Sequence, residues 1–263
     1  MRLDKPSSFP FLLAMFVFFS LSGLLVFVGC GSAEPLILGV AGFTFSFFSW
    51  TYCVAKEFFI GSAPSFIKGA FRFGFGLFIV SEVMFFVSFF WAFFCFSVIP
   101  TAEVGREWPP VGVRPIPPFG IPLLNTVILL RSGLSVTWAH ASVKLRKPSI
   151  LPLLITLALG VYFLVIQLIE YGEASFAIRD GVYGTSFFML TGLHGIHVFV
   201  GCVMLRASAL RFKSFTALRH VGFECAIWYW HFVDVVWLFL FGFVYVWSTG
   251  LCWDIGTPFL MGV

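Results

Sequence analysis

Seven long apolar stretches, separated by short polar segments, are the feature that most constrains the fold of this 263-residue chain. A membrane-spanning helix needs about 20 apolar residues, and these stretches cover about 10–31, 35–58, 71–98, 121–141, 150–172, 182–205 and 223–248. Only 11% of the residues are charged, which is too few to cover a water-soluble domain. The apolar runs are continuous, whereas the strands of a membrane β-barrel alternate. The sequence therefore predicts an all-α, polytopic membrane protein with seven transmembrane helices in a single membrane domain, residues 1–263.

The basic residues predict the orientation of the spans. Twelve of the 16 Lys and Arg residues fall in the N-terminal segment or near the loops that follow even-numbered spans. Arg106, Arg114 and Arg179 fall on the opposite side, and Arg131 lies within span four. Loops retained on the cytoplasmic or matrix side carry the excess of Lys and Arg, so the N-terminus is predicted to face that side. The net charge of +4 is thus a topology signal and gives no reason to invoke nucleic acid.

Glu82 is the most informative polar residue inside a span. It lies in an apolar run of span three, with no Lys or Arg within four residues of it. A charge in the hydrocarbon costs about 2.5–3.5 kcal/mol on insertion scales, and desolvation disfavours the ionised form of a carboxyl group. Two interpretations stay open. Glu82 handles protons or anchors a lipid polar group, or it is a neutral carboxylic acid hydrogen-bonded to a neighbouring helix.

Histidines and acids at helical spacing form a second group of polar residues within the spans. His231 and Asp234, three residues apart in span seven, share a helix face and can pair. His194 and His197 repeat this spacing in span six, and such a pair can ligate a metal or haem. Span six offers no carboxylate beside that pair. We predict structural polar pairs at both positions and no metal site.

The sequence contains no recognisable catalytic or cofactor motif. Walker A, GxGxxG, CxxCH and HExxH patterns are all missing from it. Glu170 and Glu173, at the end of span five, are predicted to face the helix bundle and the membrane interface, respectively. The residues alone thus predict a seven-helix membrane protein with an intramembrane acid and no catalytic residues.

Several short motifs between residues 68 and 248 form a more specific pattern. They are Ser81–Phe94, Trp108–Pro110, Ile121–Thr126, Thr137–His140, Glu170–Phe176, Asp180–Gly184, Thr191–His197, Gly222–Glu224 and Trp228–Phe239. Together these motifs resemble the cytochrome c oxidase subunit III family. Spans one and two match the family weakly, with Pro6–Pro10 as the best anchor.

The resemblance implies a core subunit of a proton-pumping terminal oxidase, which reduces oxygen to water. It implies that this chain binds no cofactor of its own, because haem and copper lie on partner subunits. In the family, two N-terminal helices are split from a five-helix bundle by a V-shaped cleft. That cleft holds phospholipids: cardiolipin, phosphatidylglycerol or phosphatidylethanolamine. The family role is to stabilise the catalytic subunit, to support proton uptake and to guide oxygen.

The resemblance also implies partners, a location and a role for one residue. The implied partners are oxidase subunit I, as the main contact, subunit II and accessory subunits. The implied location is the mitochondrial inner membrane with the N-terminus in the matrix, or alternatively a bacterial plasma membrane. Glu82 matches the family's intramembrane carboxylate, which reacts with carbodiimides.

We predict a lipid-binding set from the basic rim of the spans and from this resemblance. Juxtamembrane Lys and Arg attract acidic phospholipids at roughly 1 kcal/mol each. The predicted set is Trp50, Lys56, Lys68, Arg72, Glu82, Arg211, Lys213 and Arg219.

Two other functions stay open from the sequence. A stand-alone transporter or proton channel would use Glu82 and Glu170, although interrupted helices in paired repeats are not apparent. Subunit III of a quinol oxidase would have the same fold, because the electron donor binds to other chains.

Overall fold

A computed structural model describes residues 7–60, 65–100, 105, 108–110, 112–145, 150–212, 215 and 220–249, without the side chains of 54–60 and 65. Within these ranges the chain forms seven long helices, and no strand is found there. They are α1 (Phe9–Cys30), α2 (Glu34–Ile60), α3 (Ser65–Val98), α4 (Ile121–Lys144), α5 (Leu151–Glu173), α6 (Gly181–Leu210) and α7 (Val221–Leu240). All seven are long and apolar enough to cross a membrane, which confirms the predicted all-α, seven-span class.

The largest differences from the predicted helix ends are in three places. Helix α3 begins at Ser65 and α6 continues to Leu210, because polar residues near a membrane surface remain compatible with helix while lowering the local hydropathy. Span seven is not one regular helix. A π-helical turn, Phe241–Val246, and a 3₁₀ turn, Trp247–Thr249, follow α7. A hydropathy window cannot detect where α7 gives way to the π-helical turn, because that turn is as apolar as the helix.

The chain divides into two compact units, Met1–Gly69 and Ala70–Val263. The first unit contains α1, α2 and the first residues of α3, and the second contains the remaining helices. Whether the whole chain acts as a single membrane domain stays a prediction.

In the first unit, α1 and α2 pack closely as an antiparallel pair. A Cβ atom added to Gly23 would lie 2.5 Å from the backbone nitrogen of Leu36. One added to Gly39 would lie 2.7 Å from the backbone nitrogen of Ser20. Small residues of this kind let helix backbones approach each other in membranes, where van der Waals packing drives association.

In the second unit, α7 packs against α4 and α6, and α5 packs against α4 and α6. The largest fully buried side chains include Trp230 and Trp237 of α7. Each indole donates a hydrogen bond across to α4: Trp230 to Ser132 Oγ at 2.9 Å and Trp237 to Thr126 Oγ1 at 3.0 Å. These bonds satisfy the indole N–H groups in a region without water.

Glycines in α5 and α6 make room for the Trp230 ring. A Cβ atom at Gly160 would lie 2.6 Å from that ring, and one at Gly201 would lie 2.9 Å from it. At Gly192 and Gly195, also in α6, the nearest side-chain atom would lie 4.0 Å from an added Cβ atom. Gly201, unlike Gly192 and Gly195, therefore lies at a close helix contact.

Helix α3 joins the second unit mainly through aromatic side chains. Phe86 lies edge-on to Phe232, with ring centroids 6.0 Å apart, and Phe94 lies edge-on to Phe243 at 4.9 Å. Only 11% of the most apolar window of α3 is buried, against 39–50% for α4 to α7. Most of α3 therefore presents an apolar surface that this unit does not cover.

Candidate functional site

Glu82 lies roughly midway along α3, about 25 Å from either end of the helix. Its Oε2 atom is 2.9 Å from Nε2 of His197 on α6. The two side chains are 23% and 11% exposed, respectively. Span six has no carboxylate beside its histidines, but α3 supplies one to His197 in the folded chain.

The other ring nitrogen of His197 determines how many protons this pair can hold. His197 Nδ1 lies 2.7 Å from the backbone oxygen of Leu193. A carbonyl oxygen only accepts, so Nδ1 must carry a proton to make this bond. One further proton is then shared between Nε2 and the Glu82 carboxyl. The pair is either an acid beside a neutral imidazole or a carboxylate beside an imidazolium.

Aromatic rings surround this Glu82–His197 pair. The His197 ring lies 4.9 Å from that of Phe86, 6.0 Å from that of Phe232 and 6.2 Å from that of Tyr229, on which it stacks. A hydrogen bond from Glu82 to a neighbouring helix, part of one of the two interpretations left open by the sequence, is present. The protonation state of Glu82 and its role in proton handling stay predictions.

His194 and His197 share one helix but face different neighbours. His194 is 1% exposed, and its Nε2 atom lies 3.2 Å from the backbone oxygen of Val233 on α7. The His194 ring packs against Trp237 and Phe163, with centroids 5.1 and 5.5 Å away. Across helices, His194 therefore hydrogen-bonds to α7 and His197 to α3, and the two do not hydrogen-bond to each other.

His231 and Asp234 share a face of α7 and approach α4. His231 Nδ1 lies 3.9 Å from Asp234 Oδ2, which is longer than a hydrogen bond. A Cβ atom at Gly133 of α4 would lie 2.6 Å from Asp234 Oδ2. His231 Nε2 lies 3.4 Å from Thr137 Oγ1, also on α4. This polar contact between α7 and α4 is compatible with the predicted structural role.

A polar cluster that the sequence analysis did not identify lies where α3, α4 and α7 meet. Arg72 donates from both Nε and a terminal nitrogen to Glu224 Oε2, at 2.7 Å in each case. His220, one helical turn before Glu224, places Nε2 3.0 Å from Oε1 of the same carboxylate. The His140 ring lies 5.5 Å from the His220 ring. The four-residue spacing of His220 and Glu224 is the one sign of this cluster in the sequence. Their partners Arg72 and His140 come from other helices.

A second unexpected feature is a buried hydrogen-bonded network joining α4, α5 and the π-helical turn. Asn125 donates to Gln167 at 3.3 Å, and Gln167 donates to Glu170 at 3.3 Å. Tyr245, carried by the turn, donates to the same Glu170 oxygen at 2.6 Å. All four side chains are at most 4% exposed. Glu170 faces the bundle and Glu173 is exposed, as predicted, and the one Asn of the chain was the sequence signal for this network.

The predicted lipid-binding residues are spread over both units. Trp50 and Lys68 lie in the first unit and are partly exposed, as are Arg72, Glu82 and Arg211 in the second. Arg72 is paired with Glu224, which the sequence did not suggest. Lys213, Arg219 and the side chain of Lys56 lie outside the described residues. Lipid binding by this set stays a prediction.

Comparison with known proteins identifies relatives along almost the whole chain. A family model described as "Cytochrome c oxidase subunit III" matches residues 1–249. The chain is 47% identical to cytochrome c oxidase subunit 3 of Mammuthus primigenius over 249 residues, covering 93% of this chain and 95% of the relative. It is also 47% identical to the protein of that name from Sus scrofa over 250 residues, covering 93% and 96%. The match to the Ornithorhynchus anatinus protein of that name is 46% identical, with the same coverage.

Proposed function

This chain belongs to the cytochrome c oxidase subunit III family, and from that premise we propose three roles for it within the oxidase complex. It stabilises the catalytic subunit, it holds structural phospholipids, and it supports proton uptake and oxygen access during the reduction of oxygen to water. In this proposal the haem and copper centres belong to partner subunits. The complex lies in the mitochondrial inner membrane, with the N-terminus of this chain in the matrix.

The first role, stabilising the catalytic subunit, is supported by the apolar surface of α3. Trp91, 72% exposed, and Phe73, 71% exposed, are among its large uncovered side chains. In a membrane such a surface contacts either lipid or another subunit's helix. Oxidase subunit I is the proposed main partner, with subunit II and accessory subunits as further contacts.

The second role, holding phospholipids, is supported by the basic residues near the helix ends. Lys68 and Arg211 are partly exposed, and each basic residue near an anionic membrane surface contributes roughly 1 kcal/mol of attraction. The proposed ligands are cardiolipin, phosphatidylglycerol or phosphatidylethanolamine. Lys68→Ala should therefore reduce the anionic phospholipid that co-purifies with the complex, measured by lipid mass spectrometry. Arg114→Ala, on the opposite side, is the control, and equal lipid content in both variants would contradict the proposal.

The third role, in proton uptake, rests on the Glu82–His197 hydrogen bond. The pair shares one exchangeable proton between Oε2 and Nε2, 2.9 Å apart, while the Leu193 carbonyl holds the other imidazole proton in place. A shared proton of this kind can be released and regained without rearrangement of the helices. The aromatic rings packed around His197 make the surroundings of the pair apolar, and carboxyls in apolar sites are the ones that carbodiimides modify.

The proton role is tested with Glu82→Gln, which keeps the shape of the side chain and removes the titratable proton. We expect the variant chain to assemble, to lose carbodiimide labelling and to slow proton uptake by the reconstituted oxidase during turnover. Glu173→Gln, at the exposed end of α5, should behave as wild type in all three measurements. Wild-type proton uptake by Glu82→Gln would refute the proton role. Failed assembly would instead assign Glu82 a structural role.

A further inference from the structure

We propose that His140, His220 and Glu224 form a binding site for one zinc ion, where α4 meets the start of α7. Each residue offers one ligand atom, and these atoms all lie within 4.8 Å of one another. The described residues contain no second group of three such side chains so arranged. The site is separate from the Glu82–His197 pair and does not depend on the proton role proposed for it.

The donor set is one that zinc prefers. Two imidazole nitrogens and one carboxylate oxygen make up the protein ligands of several known zinc sites, with water in the fourth position. Zinc–ligand bonds of about 2.0–2.2 Å place tetrahedral ligands about 3.3–3.6 Å apart. His220 Nε2 and Glu224 Oε1 are already 3.0 Å apart. Side-chain rotation of His140 toward them would complete the site without movement of a helix backbone.

Arg72 orients the Glu224 carboxylate for binding a metal ion. Arg72 binds Oε2 of Glu224 at 2.7 Å, which leaves Oε1 facing His220. Ligating carboxylates are usually held in this way by a second hydrogen bond. The positive charge of Arg72 also opposes a cation, so the site should bind zinc reversibly rather than retain it through every purification step.

An ordinary cluster of ion pairs accounts for Arg72, His220 and Glu224 but not for His140. His140 Nε2 is buried and has no hydrogen-bond partner among the described residues. A buried imidazole nitrogen without a partner is costly, and coordination to a metal would satisfy the imidazole. The site lies near the end of α4, four residues before Lys144, so an ion can reach it from the aqueous phase.

The test uses the purified oxidase complex equilibrated with zinc chloride and then freed of unbound metal. Zinc per complex is measured by inductively coupled plasma mass spectrometry for wild type, for His140→Ala and for the more conservative Glu224→Gln. We expect both variants to hold one zinc fewer than wild type. His231→Ala removes a half-exposed histidine of the same helix α7 and should retain the wild-type content.

Equal zinc content in wild type and in both cluster variants would overturn the proposal. If the variants fail to assemble, zinc-edge anomalous scattering from crystals of the wild-type complex decides the matter. A peak between His140, His220 and Glu224 supports the site, and no peak there in zinc-soaked crystals refutes it.

Discussion

Replacing Tyr245 by Phe should destabilise the second unit measurably, because this removes the shortest hydrogen bond of the buried network. The Tyr245 hydroxyl donates to Glu170 Oε1 at 2.6 Å and accepts from Gln167 Nε2 at 3.3 Å. After the substitution, Glu170 keeps only the longer contact with Gln167. Its Oε2 atom already has no hydrogen-bond partner among the described residues. The variant therefore leaves a buried carboxyl group poorly satisfied.

The size of the effect depends on which of two magnitudes applies. Hydrogen bonds between membrane helices contribute about 0.6 kcal/mol on average, whereas an unsatisfied buried polar group costs about 1–3 kcal/mol. The cost of an unsatisfied buried polar group applies here. Tyr245 and Glu170 are 1% and 2% exposed, so the Glu170 carboxyl cannot replace the lost hydrogen bond with one to water. We expect a loss of about 1–2 kcal/mol, which is about a 5–30-fold shift toward the unfolded form.

The assay follows alkylation of Cys202 in the complex as sodium dodecyl sulfate is added, with peptide-resolved mass spectrometry. Cys202 is 8% exposed, so it reacts only after the second unit opens. Tyr162→Phe removes a hydroxyl from a half-exposed tyrosine of α5 and serves as the control. Coincident alkylation curves for Tyr245→Phe and Tyr162→Phe would show that the network contributes no stability, and the reasoning would fail.

Three further predictions concern packing, insertion and orientation. Gly160→Ala places a Cβ atom 2.6 Å from the buried Trp230 ring and 2.8 Å from Cys202 Sγ, and it should cost about 1–3 kcal/mol when alkylation is followed at Cys225, which is 2% exposed. Gly76→Ala, with open space around it, should cost nothing measurable. Arg131→Leu removes an exposed charge within α4 and should improve insertion of that helix by about 3 kcal/mol, measured with a glycosylation-based insertion assay; unchanged insertion would contradict it. Exposed Cys30, at the end of α1, should react with an impermeant maleimide only from the side opposite the basic loops, and labelling from the basic side would reverse the topology.

In the candidate site, the sequence was sufficient to identify Glu82 but not its partner. Its position in an apolar run was sufficient to identify it as an intramembrane acid, because the cost of a buried charge depends on local composition. Its partner His197 is 115 residues away, and no local spacing links the two. The histidine was also noted in the sequence, but as one half of a pair with His194 rather than as the partner of an acid on another helix.

The polar cluster of Arg72, His140, His220 and Glu224 shows why some of the site could not be predicted. Only His220 and Glu224 are local neighbours, four residues apart. Arg72 was predicted to contact lipid because a basic residue at a helix end usually does. The structure pairs it with Glu224, since the rotation of α3 about its axis turns its guanidinium toward α7.

The sequence by itself determined that this chain forms seven membrane-spanning helices and belongs with oxidase subunit III by its motifs. The spans and the motifs are both local patterns along the chain. A span is defined by about 20 consecutive apolar residues, and each motif by a few neighbouring residues. The tertiary structure alone decided which polar residues meet: Glu82 with His197, Arg72 with Glu224, and Tyr245 with Glu170. These contacts depend on helix rotation and on small residues such as Gly160 and Gly201 that set how closely the helices pack. In a membrane, lipid and apolar side chains are alike to one another, so hydropathy cannot specify which helix faces which.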